Sequence, residues 1–260
     1  MKTVQNRIEE IRRNGYPSDF GVIFNHTFET YKKVAAMAGL SLLIFSFLLC
    51  IVFLTVILTS VDWQNQMGNR RQFEQIDITQ FSTVGLIGYM TVMILFTALT
   101  VPLIAGIIKM CYNAEKNEEI SIANAFSYFS GNHFVNLFIA GFVLGTFNTL
   151  VSVGFEFLHL GWVGGLIGGI VGVLTILAVP LVIFGNLRPI EAITASITVV
   201  SRQFFVILLL LIVCYIIAFC GLLACCVGFF FTLPLVYVLQ YSLYVHSVGF
   251  EENNDIEDNY

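Results

Sequence analysis

The sequence predicts an all-α fold, a polytopic membrane bundle of six transmembrane helices. Three observations predict it. First, 11% of the 260 residues are charged and 57% are hydrophobic, with mean hydropathy +0.85, whereas soluble domains carry roughly 25% charged residues. Second, uncharged runs cover residues 34–61, 78–108, 134–155, 157–187 and 203–250. A helix needs about 20 apolar residues to cross the hydrocarbon core, so each of the first four runs holds one span. The last is long enough for two, with GLLACCVG at 221–228 as a tight turn. Third, with six spans, lysine and arginine segregate: ten lie on the side of the termini and two, Arg70 and Arg71, on the other. The positive-inside rule then puts both termini in the cytoplasm, and the inner (cytoplasmic) membrane is the expected location.

The expected spans are 36–60, 84–108, 134–155, 162–185, 203–222 and 227–248. They lie within a membrane domain over 18–250, between a cytoplasmic segment at 1–17 and an acidic tail at 251–260. The first 33 residues are charged and mixed, with no small-residue cleavage site after the first apolar run, so span one is expected to stay in the mature chain. The net charge of −5 resides in the tail: without Glu251, Glu252, Asp255, Glu257 and Asp258 the chain has 12 acids and 12 bases. Such a tail is either a solvated, disordered end or a docking segment for a basic partner.

A pattern precedes each odd-numbered span. Phe20, Phe24, Phe28 and Tyr31 share one helical face, as do Ile122, Phe126 and Phe129, and again Ile190, Ile193, Ile197 and Val200. Each segment reads as an amphipathic helix lying in the membrane interface. Pro189 suits the first position of the third. The even-numbered spans each carry Pro-Leu, at Pro102, Pro180 and Pro234. The chain therefore reads as three repeats of an interfacial helix plus a helical hairpin.

A proline inside a helix removes one donor and frees a carbonyl one turn earlier, here near Ala98, Ile176 and Phe230. In lipid such groups need a partner. The three prolines are either kinks that shape the bundle or hinges around a cytoplasm-facing vestibule. Tyr237, Gln240, Tyr241 and Tyr244 form a stripe just beyond Pro234. They either line that vestibule or join an interfacial aromatic belt with interhelical hydrogen bonds. Span four holds two rows of small residues, Gly161, Gly165 and Gly169, and Gly164, Gly168 and Gly172. These spacings let backbones approach closely, either against span three or in a homo-oligomer.

Catalytic chemistry is sparse. The histidines, His26, His133, His159 and His246, are scattered. The lone Glu156-x-x-His159 lacks the second such motif and the further carboxylates that a di-iron bundle needs. The six cysteines have no metal-ligand spacing, and most behave as small hydrophobes, although Cys220, Cys225 and Cys226 lie near the last turn, where a disulfide could form in an oxidising compartment. No phosphate-binding glycine loop or nucleophile elbow is present. The basic residues are too few and too membrane-bound for nucleic acid. No acid or base sits mid-span, which argues against a proton-coupled carrier. No cofactor and no enzyme activity are expected.

One block carries a family resemblance. PLVIFGNLRPIEAITASITVVSRQFF is followed by GLLACCVGFFFTLPLVYVLQYSLY. Pro-Leu ends a span, an acid-Ala-Ile-x-x-Ser helix follows (Glu191, Ala192, Ile193, Ser196), and Arg202 with Phe204 opens the next span. This resembles uncharacterised bacterial integral membrane proteins related to the membrane domain fused to some glycerophosphodiester phosphodiesterases. The resemblance covers the last third of the chain and implies a helical membrane bundle near lipids, with no catalytic residue carried over. The resulting expectation is a non-enzymatic membrane component that binds lipid or anchors a protein partner or second copy. The alternative is a facilitator or exporter of a small molecule.

Overall fold

The computed structural model describes residues 4–60, 83–224 and 226–250. The polar connection expected at 61–80, with Arg70 and Arg71, lies outside the described residues, as do Cys225 and the acidic tail. No strand occurs among the described residues. The helices are α1 (Val4–Asn14), α2 (Phe20–Ser60), α3 (Thr83–Glu115), α4 (Ile122–Phe126, extended by a 3-10 turn Ser127–Phe129), α5 (Asn132–Phe157), α6 (Gly161–Leu174), α7 (Ala178–Ile183), α8 (Pro189–Ser201), α9 (Phe204–Ala224), α10 (Cys226–Thr232) and α11 (Pro234–Ser247). Six stretches are long and apolar enough to cross a membrane: Phe20–Ile51, Gly85–Glu115, His133–Phe157, Gly161–Ile183, Phe204–Leu223 and Gly228–Ser247. The chain is a multi-pass helical membrane protein.

The three sequence units take three backbone forms. In the first, Asp19 accepts hydrogen bonds from the backbone N–H of Gly21 (2.8 Å) and Val22 (3.1 Å). That cap starts α2, which then runs unbroken through the aromatic segment and on to Ser60. The expected interfacial helix is therefore the first three turns of span one. Between Phe20 and Tyr31 nothing interrupts the ladder, and the rings of Phe20, Phe24, Phe28 and Tyr31 follow one another at 5.9, 6.3 and 6.2 Å. In the second unit α4 is short and separated from α5 by Gly131, whose φ of +93° a side chain would resist. In the third, α8 is a separate helix opened by Pro189.

Packing follows the small residues. Span three (α5) lies against span two (α3), where a Cβ on Gly141 would come within 2.8 Å of the Ala98 Cα. At Gly106 a Cβ would overlap the Ala125 carbonyl, so α4 rests backbone-to-backbone on α3. The fully buried side chains, including Leu103, Ile107, Met110, Leu181, Tyr241 and Tyr244, collect towards one end of the bundle. Towards the other end, Phe47, Leu48, Ile51 and Ile87 point outward.

The well-packed end is also the basic end. There α1 docks on α8, burying Ile11, while Gln203 Nε2 donates to the Tyr16 carbonyl at 2.8 Å and the Arg202 guanidinium to the Arg12 carbonyl. The sequence reading of 1–17 as a cytoplasmic segment assigned it no helix; the structure forms α1 there. Its signal is the helical spacing of Val4, Ile8 and Ile11.

Candidate functional site

The prolines and their surroundings come first. Pro102 lies inside α3, which stays helical on both sides. The Ala98 carbonyl that it frees faces Gly141 of α5, whose Cβ, if present, would be 3.3 Å from that oxygen. Ahead of Pro180 the span breaks: a turn at 175–177 separates α6 from α7, and Pro180 lies in the first turn of α7. Ser196 of α8 reaches into the break. Its hydroxyl donates to the Leu174 carbonyl at 2.8 Å and accepts from the Leu177 N–H at 3.0 Å. At Pro234 the span breaks between α10 and α11, with proline in the first turn of the new helix. The Tyr31 hydroxyl of α2 donates to the Phe231 carbonyl at 2.9 Å, and Thr232 donates to the Ala218 carbonyl of α9 at 2.9 Å. Gly39 admits Phe231 against α2. Backbone groups at both breaks are thus met by other elements, as a lipid environment demands.

Just beyond these breaks is a polar hub that sequence reading did not assemble. Glu115, the last residue of α3, accepts a hydrogen bond from His26 Nε2 of α2 and another from the Tyr241 hydroxyl of α11 at 2.6 Å. The His246 ring of α11 packs edge-on against His26, centroid to centroid 4.9 Å. A carbonyl can only accept, so His246 donates through Nδ1 to the Ser242 carbonyl at 2.9 Å. Lys33 adds a positive charge towards Glu115. Around the hub, Phe184, Tyr112, Tyr244 and Phe250 make an aromatic cover, with Phe250 5.1 Å from both Tyr112 and Phe184. His26 and Tyr241 are separated from Glu115 by 89 and 126 residues, so no local spacing could have signalled them.

Of the expected stripe, Tyr241 enters the hub and is fully buried. Gln240 keeps its side-chain carbonyl oxygen buried with no partner among the described residues, and Tyr237 is half-buried. Two open clefts of about 360 Å³ each lie between α1 and the α7–α8 region, one bounded by Gln5, Asn186 and Arg188, the other by Glu9, Arg12 and Thr198. Neither is lined by Pro102, Pro180, Pro234, Tyr237, Gln240 or Tyr241. Near α1, burial pushes the Tyr16 phenol up to about 12.

The glycine rows of α6 divide. Gly164 meets Ser152 and Phe155 of α5, and Gly168 meets Asn148, so these two members of their row pack on span three. Gly165, Gly169 and Gly172 meet nothing within 4 Å, and Gly161 meets only Glu156. His159 ends α5 in the left-handed conformation, φ +56°, as the residue after the helix, so the Glu-x-x-His belongs to a helix terminus. Cys50, Cys111, Cys214 and Cys220 are free thiols. Among the described residues, no group of three or more His, Cys, Asp or Glu could hold a metal.

On α8 the faces sort by size. Ala192, Ala195, Ser196, Val199 and Val200 turn into the bundle, whereas Ile190 is 65% and Ile197 39% exposed, with Ile193 between them. Fold and site together define a helical multi-pass membrane protein with a polar hub at its basic end. Compared with protein-family models, curated proteins and solved structures, the chain matches none.

Proposed function

We propose that this protein is a non-enzymatic, lipid-associated component of the cytoplasmic membrane, with its basic end and both termini on the cytoplasmic side. The observation that carries the reading is α8. Its small residues pack inward and its isoleucines 190 and 197 stand outward, with Ile193 half-buried, between Arg188 and Arg202. An apolar row flanked by cations suits the boundary between acyl chains and anionic headgroups. The ladder of Phe20, Phe24 and Phe28, with Lys32 over the Phe28 ring at 4.9 Å, repeats that chemistry on α2. The resemblance to bacterial membrane domains near lipid metabolism supports the same reading.

The test is extraction into native lipid nanodiscs followed by mass spectrometry of what co-purifies. A stoichiometric anionic phospholipid, lost in the Ile190→Ser/Ile197→Ser double variant, is the expected result. A bare protein, or a lipid complement unchanged by the variant, overturns it. A protein co-purifying in stoichiometric amount would turn the reading towards partner anchoring. The hub favours a second reading, a small-molecule facilitator, because ionisable groups within a membrane bundle commonly mark a pathway. Flux through proteoliposomes that falls in Tyr241→Ala would support it.

A further inference from the structure

We propose that the His26–Glu115–Tyr241–His246 hub is a proton-responsive latch, holding the basic ends of α2, α3 and α11 together near neutral pH and loosening α11 in acid. Glu115 is the joint. Its two oxygens accept from different helices, His26 on α2 and Tyr241 on α11. One carboxylate therefore ties three spans that are remote in sequence. Histidine is the side chain that changes charge between about pH 5 and 8, and two of them meet here with centroids 4.9 Å apart.

The charge count gives the direction. The titratable and charged groups at the hub are His26 and Lys33 from α2, Glu115, Cys111 and Tyr112 from α3 with Lys116 just after it over the Tyr112 ring, and Tyr241, Tyr244 and His246 from α11. Phe184 of α7 and Phe250 contribute only rings. Lys33 already offsets Glu115, so each histidine charged in acid adds positive charge at the hub. With both charged, two imidazoliums join Lys33 around one carboxylate. The cation on His26 remains paired with Glu115, and the one on His246 has no acid beside it among the described residues. His246 donates only to the Ser242 carbonyl of its own helix. The uncompensated repulsion acts between α2 and α11. His26 Nδ1 is also buried and has no hydrogen-bond partner among the described residues. The imidazolium must carry a proton on that nitrogen, a buried donor without an acceptor. Acid thus strains both histidines, and the element free to yield is the end of α11 with the Phe250 cover.

The experiment is hydrogen–deuterium exchange of the full chain in nanodiscs at pH 7.5 and 5.0, corrected for the intrinsic pH dependence of exchange. Peptides covering 240–250 report the latch, and peptides from α5 serve as the internal reference. Protection at 240–250 should fall on the order of tenfold in acid, between the limits for like charges about 5 Å apart in bulk water and near a protein surface. His246→Gln removes the second imidazolium and should abolish most of that fall. Glu115→Gln removes the balancing charge and should enlarge it. These opposite signs separate a proton switch from a merely structural contact, for which both variants would loosen the end at every pH. Acid responses in wild type and His246→Gln that run parallel would overturn the proposal. Because His246→Gln leaves the carboxylate hub in place, it decides the matter even if Glu115→Gln fails to fold.

Discussion

Pro102 and Pro180 stand in the same sequence context, each followed by leucine late in an even-numbered span, yet the two spans answer them differently. At Pro102 the helix continues; just ahead of Pro180 it breaks into a turn and restarts. The difference lies in the neighbours. Beside Pro102 stands Gly141 of α5, which brings a second backbone to the freed Ala98 carbonyl without any side chain between. Beside Pro180 stands Ser196 of α8, which supplies both a donor and an acceptor and so stabilises a wider opening of the backbone. A proline therefore sets where a membrane helix can deform, and the packed element decides whether it does. Pro234 resembles the second case, with Tyr31 of α2 in place of Ser196.

Each side of this comparison can be broken separately. The largest effect is expected at the continuous span. Gly141→Leu places a side chain where even a Cβ comes within 2.8 Å of the Ala98 backbone. Backbone cannot step aside as a flexible side chain can, so overpacking should cost about 3 kcal/mol. Gly165→Leu is the matched control, since its Cβ meets nothing within 4 Å. Thermal unfolding in detergent should show a large loss for the first and little for the second. Equal losses would mean that glycine spacing alone, and not this contact, matters.

The middle effect is expected at the broken span. Ser196→Ala leaves the Leu177 N–H and the Leu174 carbonyl without their partner in a buried site. Each unmet group costs energy, but membrane hydrogen bonds measure modestly, so a loss of about 1–2 kcal/mol is expected. Amide exchange at Leu177 should accelerate in step with the loss of stability. Unchanged exchange there would mean that the turn does not depend on α8.

These residues also show what the sequence discloses. The spans were legible because hydrophobicity over about 20 residues is a local property that the bilayer enforces directly. The prolines and glycine rows were legible as sites of deformation and close packing, but their partners were not. Ser196 stood in a quoted motif without a visible role, because its two partners lie 19 and 22 residues upstream, across a turn. Glu115 lay beyond the expected end of span two at 108 and drew no reading, with His26 and His246 scattered elsewhere. Their meeting depends on how α2, α3 and α11 cross, which no periodicity in one helix encodes. The isoleucine row of α8 was legible as an apolar face, but its direction was not. Only the packing shows that the small residues take the inner side and leave Ile190 and Ile197 out.

The smallest effect is expected from Pro102→Ala, and it is the most discriminating. The new N–H can bond the Ala98 carbonyl, which regains an ordinary helical partner. Against that gain, alanine makes the unfolded chain more flexible, and the two terms oppose each other within about 1 kcal/mol. Because α3 is already helical through 102 and its approach to α5 rests on Gly141, the substitution has no broken turn to close. Pro180→Ala differs: a restored helix there would compete with Ser196 for the same backbone groups. Unfolding measured for the two single variants and for each combined with Ser196→Ala makes the distinction. Pro180→Ala should couple to Ser196→Ala, and Pro102→Ala should add to it independently. Independence at Pro180 would mean that the Ser196 contact merely fills a break that proline alone enforces, and the neighbour-decides view would fail there.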